Sequence, residues 1–143
     1  MLCGRLGRYP WWRTLAGFPR TDQAEAFATL STLDLGADVH RRAFEVSGGE
    51  QQRAALARAL FQEPEMFLAD EPVSNLDPDL TFRVLQILQA QTRQESRTVV
   101  CVLHDPELVE RFADFVITLN PAQPQEWTLR AARAVRDNAA ARQ

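Results

Sequence analysis

Four short stretches of the chain carry side chains that could do chemistry together. In Val46-Ser47-Gly48-Gly49-Glu50-Gln51-Gln52-Arg53 a hydroxyl and two glycines stand just ahead of an apolar, helix-periodic run. Unpaired N–H groups at a helix start, the Ser47 hydroxyl and the positive end of the helix dipole can converge there on a phosphate, and glycine lets the backbone approach it closely. The apolar run Met66-Phe67-Leu68-Ala69 ends on an acid pair, Asp70-Glu71, followed by Pro72 and by Ser74-Asn75-Leu76-Asp77. A second apolar run, Thr98 to Leu103, ends on His104. Each stretch alone has a plainer reading. Ser47-x-x-Glu50 is also a capping box, an acid pair is also a solvated strand end, Asp77-Pro78 is also a helix start, and His104 is also a hydrogen-bonded strand terminus.

The elements that would position these residues alternate along the chain. Residues 1 to 20 are rich in Gly, Pro, Trp and Arg and read as turn-laden backbone with aromatic anchors. From Asp22, with Glu25 three positions on, Phe27, Leu30 and Leu33 predict a helix to about Leu35, ended by Gly36. Ser47 to Glu50 opens a second helix running to about Gln62, where Pro64 stops it. Met66–Ala69 and Thr98–Leu103 read as buried parallel strands, and Phe115–Leu119 as a third. Leu80, Val84, Ile87 and Leu88 give a helix between the first two, and Asp105-Pro106 starts another running through Phe112. Strand, helix, strand, helix, strand over 66 to 119 implies a parallel α/β sheet with right-handed crossovers, whose sites gather at the C-terminal strand ends. Asp70, Glu71 and His104 fall on those ends. After Asn120 the pattern dissolves, with a short exposed helix expected over 130 to 142. His40, between helices, reads as solvated.

Composition narrows the functions. The 143 residues and 45% hydrophobic content suffice for one domain with a modest core. No run has the roughly 20 apolar residues of a membrane-spanning helix, and the start lacks the apolar core of a secretory signal. Two cysteines, Cys3 and Cys101, allow neither a disulfide framework nor a four-cysteine metal site. A net charge of −3 argues against wrapping nucleic acid. All 16 basic residues are Arg, so the phosphate loop GxxxxGK[ST], whose lysine reaches the β and γ oxygens, is absent from this sequence.

Taken in order and at this spacing, VSGGEQQR, MFLADEP, SNLD and His104 resemble the signature motif, Walker B strand, D-loop and switch histidine of ATP-binding cassette (ABC) ATPases. The resemblance implies part of a P-loop NTPase-like fold. Residues 1–62 would belong to the helical subdomain with its signature helix, 63–120 to the C-terminal part of the catalytic α/β core, and 121–143 to a tail of unknown role. It also implies ATP and Mg2+ as cofactors. Asp70 would orient the metal, Glu71 would act as general base for the attacking water, and His104 would sense the γ-phosphate. Ser47, Gly48, Gly49 and Glu50 would face a neighbouring subunit's nucleotide, with Asp77 at the seam between the two.

Gly4 to Ala26 and the wording EPVSNLDP resemble the ATPases of phosphonate importers. The implied partners are a second ABC ATPase subunit and membrane permease subunits, with no nucleic acid. The implied location is cytoplasmic, at the inner face of the membrane through the permease. Residues 9 to 20, with Trp11 and Trp12, would touch that permease. The family's Walker A and Q-loop lie upstream of the matching region, so a truncated product, a misplaced start or a fragment is expected, inactive by itself. Asn120-Pro121-Ala122-Gln123-Pro124 departs from the glycine-bearing hairpin usual in the family. A rival expectation is a non-catalytic remnant or interaction module that pairs with an intact ABC ATPase.

Overall fold

In the computed structural model, all residues are described except 16, 40, 121 and 133–143, and at 38, 43 and 124 the backbone alone. A 3-10 segment, Leu2–Arg8, leads into a short helix α1 (Trp11–Leu15), then α2 (Arg20–Thr32) and α3 (Gly48–Gln62). The second half runs β1 (Met66–Asp70), α4 (Pro78–Gln94), β2 (Thr98–Val102), α5 (Pro106–Phe112), β3 (Phe115–Asn120) and β4 (Gln123–Ala131). One core joins the halves: Leu30, Leu33 and Leu35 after and within α2, Ala57 and Leu60 on α3, Phe67 on β1, and Leu80, Val84 and Leu88 on α4. Among the described residues no helix is long and apolar enough to cross a membrane.

Local chemistry fixes the ends of the elements that matter. Ser47 caps α3 through its hydroxyl, which accepts from the Glu50 N–H at 3.3 Å, while the Glu50 carboxylate accepts from the Ser47 N–H at 2.6 Å. Those bonds hold the Glu50 carboxyl below its ordinary range, with the Ser47 backbone N–H the larger cause. At the other end Glu63 adopts a left-handed φ of 52° ahead of Pro64, which stops the helix where the sequence predicts. Asp77 caps α4 by accepting from the Leu80 N–H at 2.9 Å, with Pro78 at the first helical position. Asp105 does the same for α5 through Glu107 and Leu108.

Several expectations change. Helix α2 begins at Arg20 rather than Asp22, and it ends at Thr32, because Asp34 rather than Gly36 takes the left-handed conformation, φ 58°. The Leu35 N–H then reaches the Leu30 carbonyl at 3.0 Å and the Asp34 N–H reaches Ser31 at 3.2 Å, a Schellman closure with Leu30 and Leu35 packed in the core. Asp22 and Glu25 do not cap α2. They serve Arg5, which is only 5% exposed and donates to Asp22 at 3.2 Å, to Glu25 at 2.7 Å and to the Phe61 carbonyl at 3.0 Å. Residues 1 to 15 are thus more ordered than turn signals suggest.

The sheet differs as well. β1 and β2 pair in parallel, Met66 opposite Thr98 through Asp70 opposite Val102, joined by a crossover through α4. Their faces are unequal, however: Phe67 is 4% exposed against the helices, whereas Leu68 on the opposite face is 77% exposed, so these are not strands buried on both sides. β3 does not extend this sheet. It forms an antiparallel hairpin with β4, placing Phe115, Ile117 and Leu119 beside Ala131, Leu129 and Trp127 on one face. The alternation Trp127, Leu129, Ala131 is the period-2 signal of that strand, and it replaces the dissolved pattern and the start of the helix expected over 130 to 142. The rest of that helix, like His40, lies outside the described residues.

Candidate functional site

The parallel pair delivers two chain ends side by side. β1 finishes at Asp70 in register with Val102, and the chain leaves β1 through Glu71 and β2 through Leu103 and His104. Glu71 takes a left-handed turn, φ 46°, that swings its carboxylate away from the strand direction, and His104 Nε2 lies 2.6 Å from Glu71 Oε1. Both side chains are open to solvent, as groups that meet a soluble ligand and a water molecule must be. They share one cleft, lined also by Ser74, Leu76, Val102 and Asp105. The contact orients the imidazole ring, and among the described residues the second carboxylate oxygen makes no hydrogen bond.

The turn after Glu71 is held by its own bonds. The Glu71 carbonyl accepts from the Ser74 N–H at 3.1 Å, from the Ser74 hydroxyl at 2.9 Å and from Gln52 Nε2 on α3 at 3.1 Å. Asn75 is a second left-handed residue, φ 63°, and brings the chain round to the Asp77 cap. Of the residues singled out by sequence, Glu71 and His104 therefore meet in one cleft, and Asp70 stands just ahead of them as the last residue of β1. Ser74, Asn75 and Asp77 form the adjoining turn. Ser47 to Glu50 stand at the start of a helix that reaches this rim through Gln52, a residue the motif reading passed over. Its only sequence signal is its position on the signature helix, one and a half turns beyond the cap.

The Ser47 end is an exposed, capped helix start. Ser47 and Gly48 are exposed, and a Cβ built on Gly48 would meet nothing within 4 Å. Packing inside the chain therefore does not require glycine there. Asp70 is an exposed, single carboxylate. Among the described residues no three His, Cys, Asp or Glu side chains come together to cage a metal. Cys101, beside this rim on β2, is half-buried, and burial pushes its thiol up to about 11, which disfavours the thiolate.

A family model described as ABC transporter matches residues 10–74. The phosphonates import ATP-binding protein PhnC of Trichormus variabilis is 44% identical over 120 residues, covering 84% of this chain and 49% of that protein. The chain belongs to the ABC transporter family. A second relative within it, the phosphonates import ATP-binding protein PhnC of Paraburkholderia xenovorans, is 42% identical over 83% of this chain and 40% of its own length. The chain thus spans about half the length of the curated relatives it matches. Among solved members of the ABC family, a transporter in an inward-facing conformation superposes with a TM-score of 0.72 at 30% identity, over 93% of this chain and 51% of that one. An ATP-binding cassette captured as a dimer in a post-hydrolysis state with ADP and Pi superposes at 0.68 and 28% identity, over 78% and 49%. The ABC fold seen here is therefore a portion of the P-loop NTPase architecture, mixed helix and strand around a parallel pair.

Proposed function

We propose that this chain is the signature-bearing and catalytic-rim portion of an ABC ATPase subunit that couples ATP binding and hydrolysis to import, with phosphonates as the solute class. The observation that carries this reading is the contact of Glu71 with His104 at the ends of two parallel strands. In it Glu71 takes the proton of the attacking water, and His104 orients that carboxylate and reads the γ-phosphate. Asp70 would hold Mg2+, which supplies charge neutralisation at the phosphates. Ser47, Gly48 and Gly49, with Glu50 locking their cap, would grip the nucleotide bound by a second ATPase subunit, and Asp77 would lie at the seam between the two. The relatives named for phosphonate import, and the dimeric cassette, support solute class and pairing.

No lysine is available in these 143 residues to reach the phosphates, so the phosphate loop has to be supplied from outside this segment. MgATP hydrolysis measured on the 143-residue chain alone should stay at background. It should appear once a phosphate-loop half taken from a phosphonate-importer relative is added. Turnover by the isolated chain that Glu71→Gln abolishes would refute the assignment.

Trp11 and Trp12 are 75% and 62% exposed on α1, and Leu15 stands exposed beside them. An apolar surface of that kind marks an interaction site, and we assign it to the permease, which would hold the ATPase at the cytoplasmic face of the membrane. Replacing both tryptophans with alanine should cut co-purification with the permease at least tenfold while leaving the fold intact by circular dichroism. Undiminished co-purification would remove this contact from the proposal.

A further inference from the structure

We propose that Gln52 is a positioning residue that ties the signature helix to the Glu71 turn, so that the placement of α3 sets how the Glu71 carboxylate meets His104. This deepens the reading of Glu71 as the base and rests on it. The Glu71 carbonyl, with two lone pairs, is approached by three donors. Two of them, the Ser74 N–H and hydroxyl, belong to the turn itself. The third is the Gln52 amide, which also donates to the Ser74 hydroxyl at 3.2 Å and so engages both ends of the turn at once.

The turn needs an outside hold. Glu71 at φ 46° and Asn75 at φ 63° are non-glycine residues in the left-handed region, and such backbone persists only where its surroundings over-determine it. Gln52 supplies that constraint from the helix whose first residue caps the candidate phosphate cradle. A shift of the Ser47 end when a phosphate docks there is carried down one rigid helix to Gln52. From Gln52 it passes through one carbonyl to the backbone that aims the Glu71 carboxylate at His104. The neighbouring Gln51 has no such reach: its amide donates to the Val46 carbonyl at 3.1 Å, within its own helix start.

The test uses the 143-residue chain, without nucleotide, by NMR. Gln52→Glu keeps size and shape but removes the donor. It should speed exchange of the Ser74 amide roughly fivefold, the worth of one ordinary hydrogen bond, and move the ring nitrogen signals of His104, which report its contact with Glu71. Gln51→Ala should change neither. Unmoved His104 signals in Gln52→Glu, or equal movement in Gln51→Ala, would overturn the proposal. If Gln52→Glu does not fold, Ser74→Ala reads the same link from the other side, and His104 signals unchanged in that variant count against it equally. Because no hydrolysis is measured, failure here leaves the ATPase assignment standing, and failure of that assignment shows in turnover rather than in these spectra.

Discussion

Glu71→Gln, in a cassette completed with a phosphate-loop half, should lower ATP turnover about 10²–10⁴-fold, the range spanned by general-base catalysis, while ATP binding is retained. The amide preserves the length of the side chain and its hydrogen bond to His104 but cannot accept a proton from water. The left-handed turn at Glu71 and the bonds on its carbonyl are untouched by the change, so position is kept and chemistry alone is lost. Steady-state phosphate release with nucleotide affinity measured in parallel checks this. Equal loss of binding and turnover would point to a structural effect instead.

Arg5→Met should cost about 3–5 kcal/mol of folding stability, because it leaves the buried Asp22 carboxylate without its cation. Arg5 lies with its guanidinium 4.0 Å from the Phe61 ring centroid and donates to the Phe61 carbonyl, to Asp22 and to Glu25, while Tyr9 also donates to Asp22 at 2.9 Å. One residue thereby ties the N-terminal segment, α2 and the end of α3 together. The salt-bridged environment, with the Glu25 hydrogen bond its largest cause, raises the Arg5 pKa, so the cation is present at every practical pH. The loss in urea unfolding should therefore persist across the neutral range. Asp22→Asn in the same chain should recover much of it, since the uncompensated charge is then gone. A cost below about 1 kcal/mol would show that the network is dispensable.

The strand end and helix starts around the candidate rim are legible because their signals are local. An apolar run ending in acids, a capping serine before glycines, and Asp-Pro at two helix starts each reflect bonds made within a few residues, and the structure makes those bonds at Ser47, Asp77 and Asp105. What sequence reasoning missed depends on distant partners or on competition between neighbours. Nothing local marks Arg5, whose partners Phe61, Asp22 and Glu25 lie far from it along the chain. Asp34 outcompetes Gly36 as the helix stop because Leu35 must return to the core beside Leu30, which a spacing rule does not see. β3 reads as a parallel strand by order, yet the alternating residues of β4 follow within a short turn and pair with it first, the cheaper closure. Gln52 could be found only once its helix was docked on the Glu71 turn.

We propose that Ser47 serves a neighbour's nucleotide while Glu71 and His104 serve their own subunit's. It is tested most directly by mixed pairs of completed cassettes, one subunit carrying Ser47→Arg and the other Glu71→Gln, purified through two different tags. Pairs of either variant alone should be silent. The mixed pair should regain hydrolysis, because one of its two sites then combines an intact Glu71 with an intact Ser47. A mixed pair as silent as its parents would mean that both residues act on the same subunit's nucleotide, and the account would be wrong.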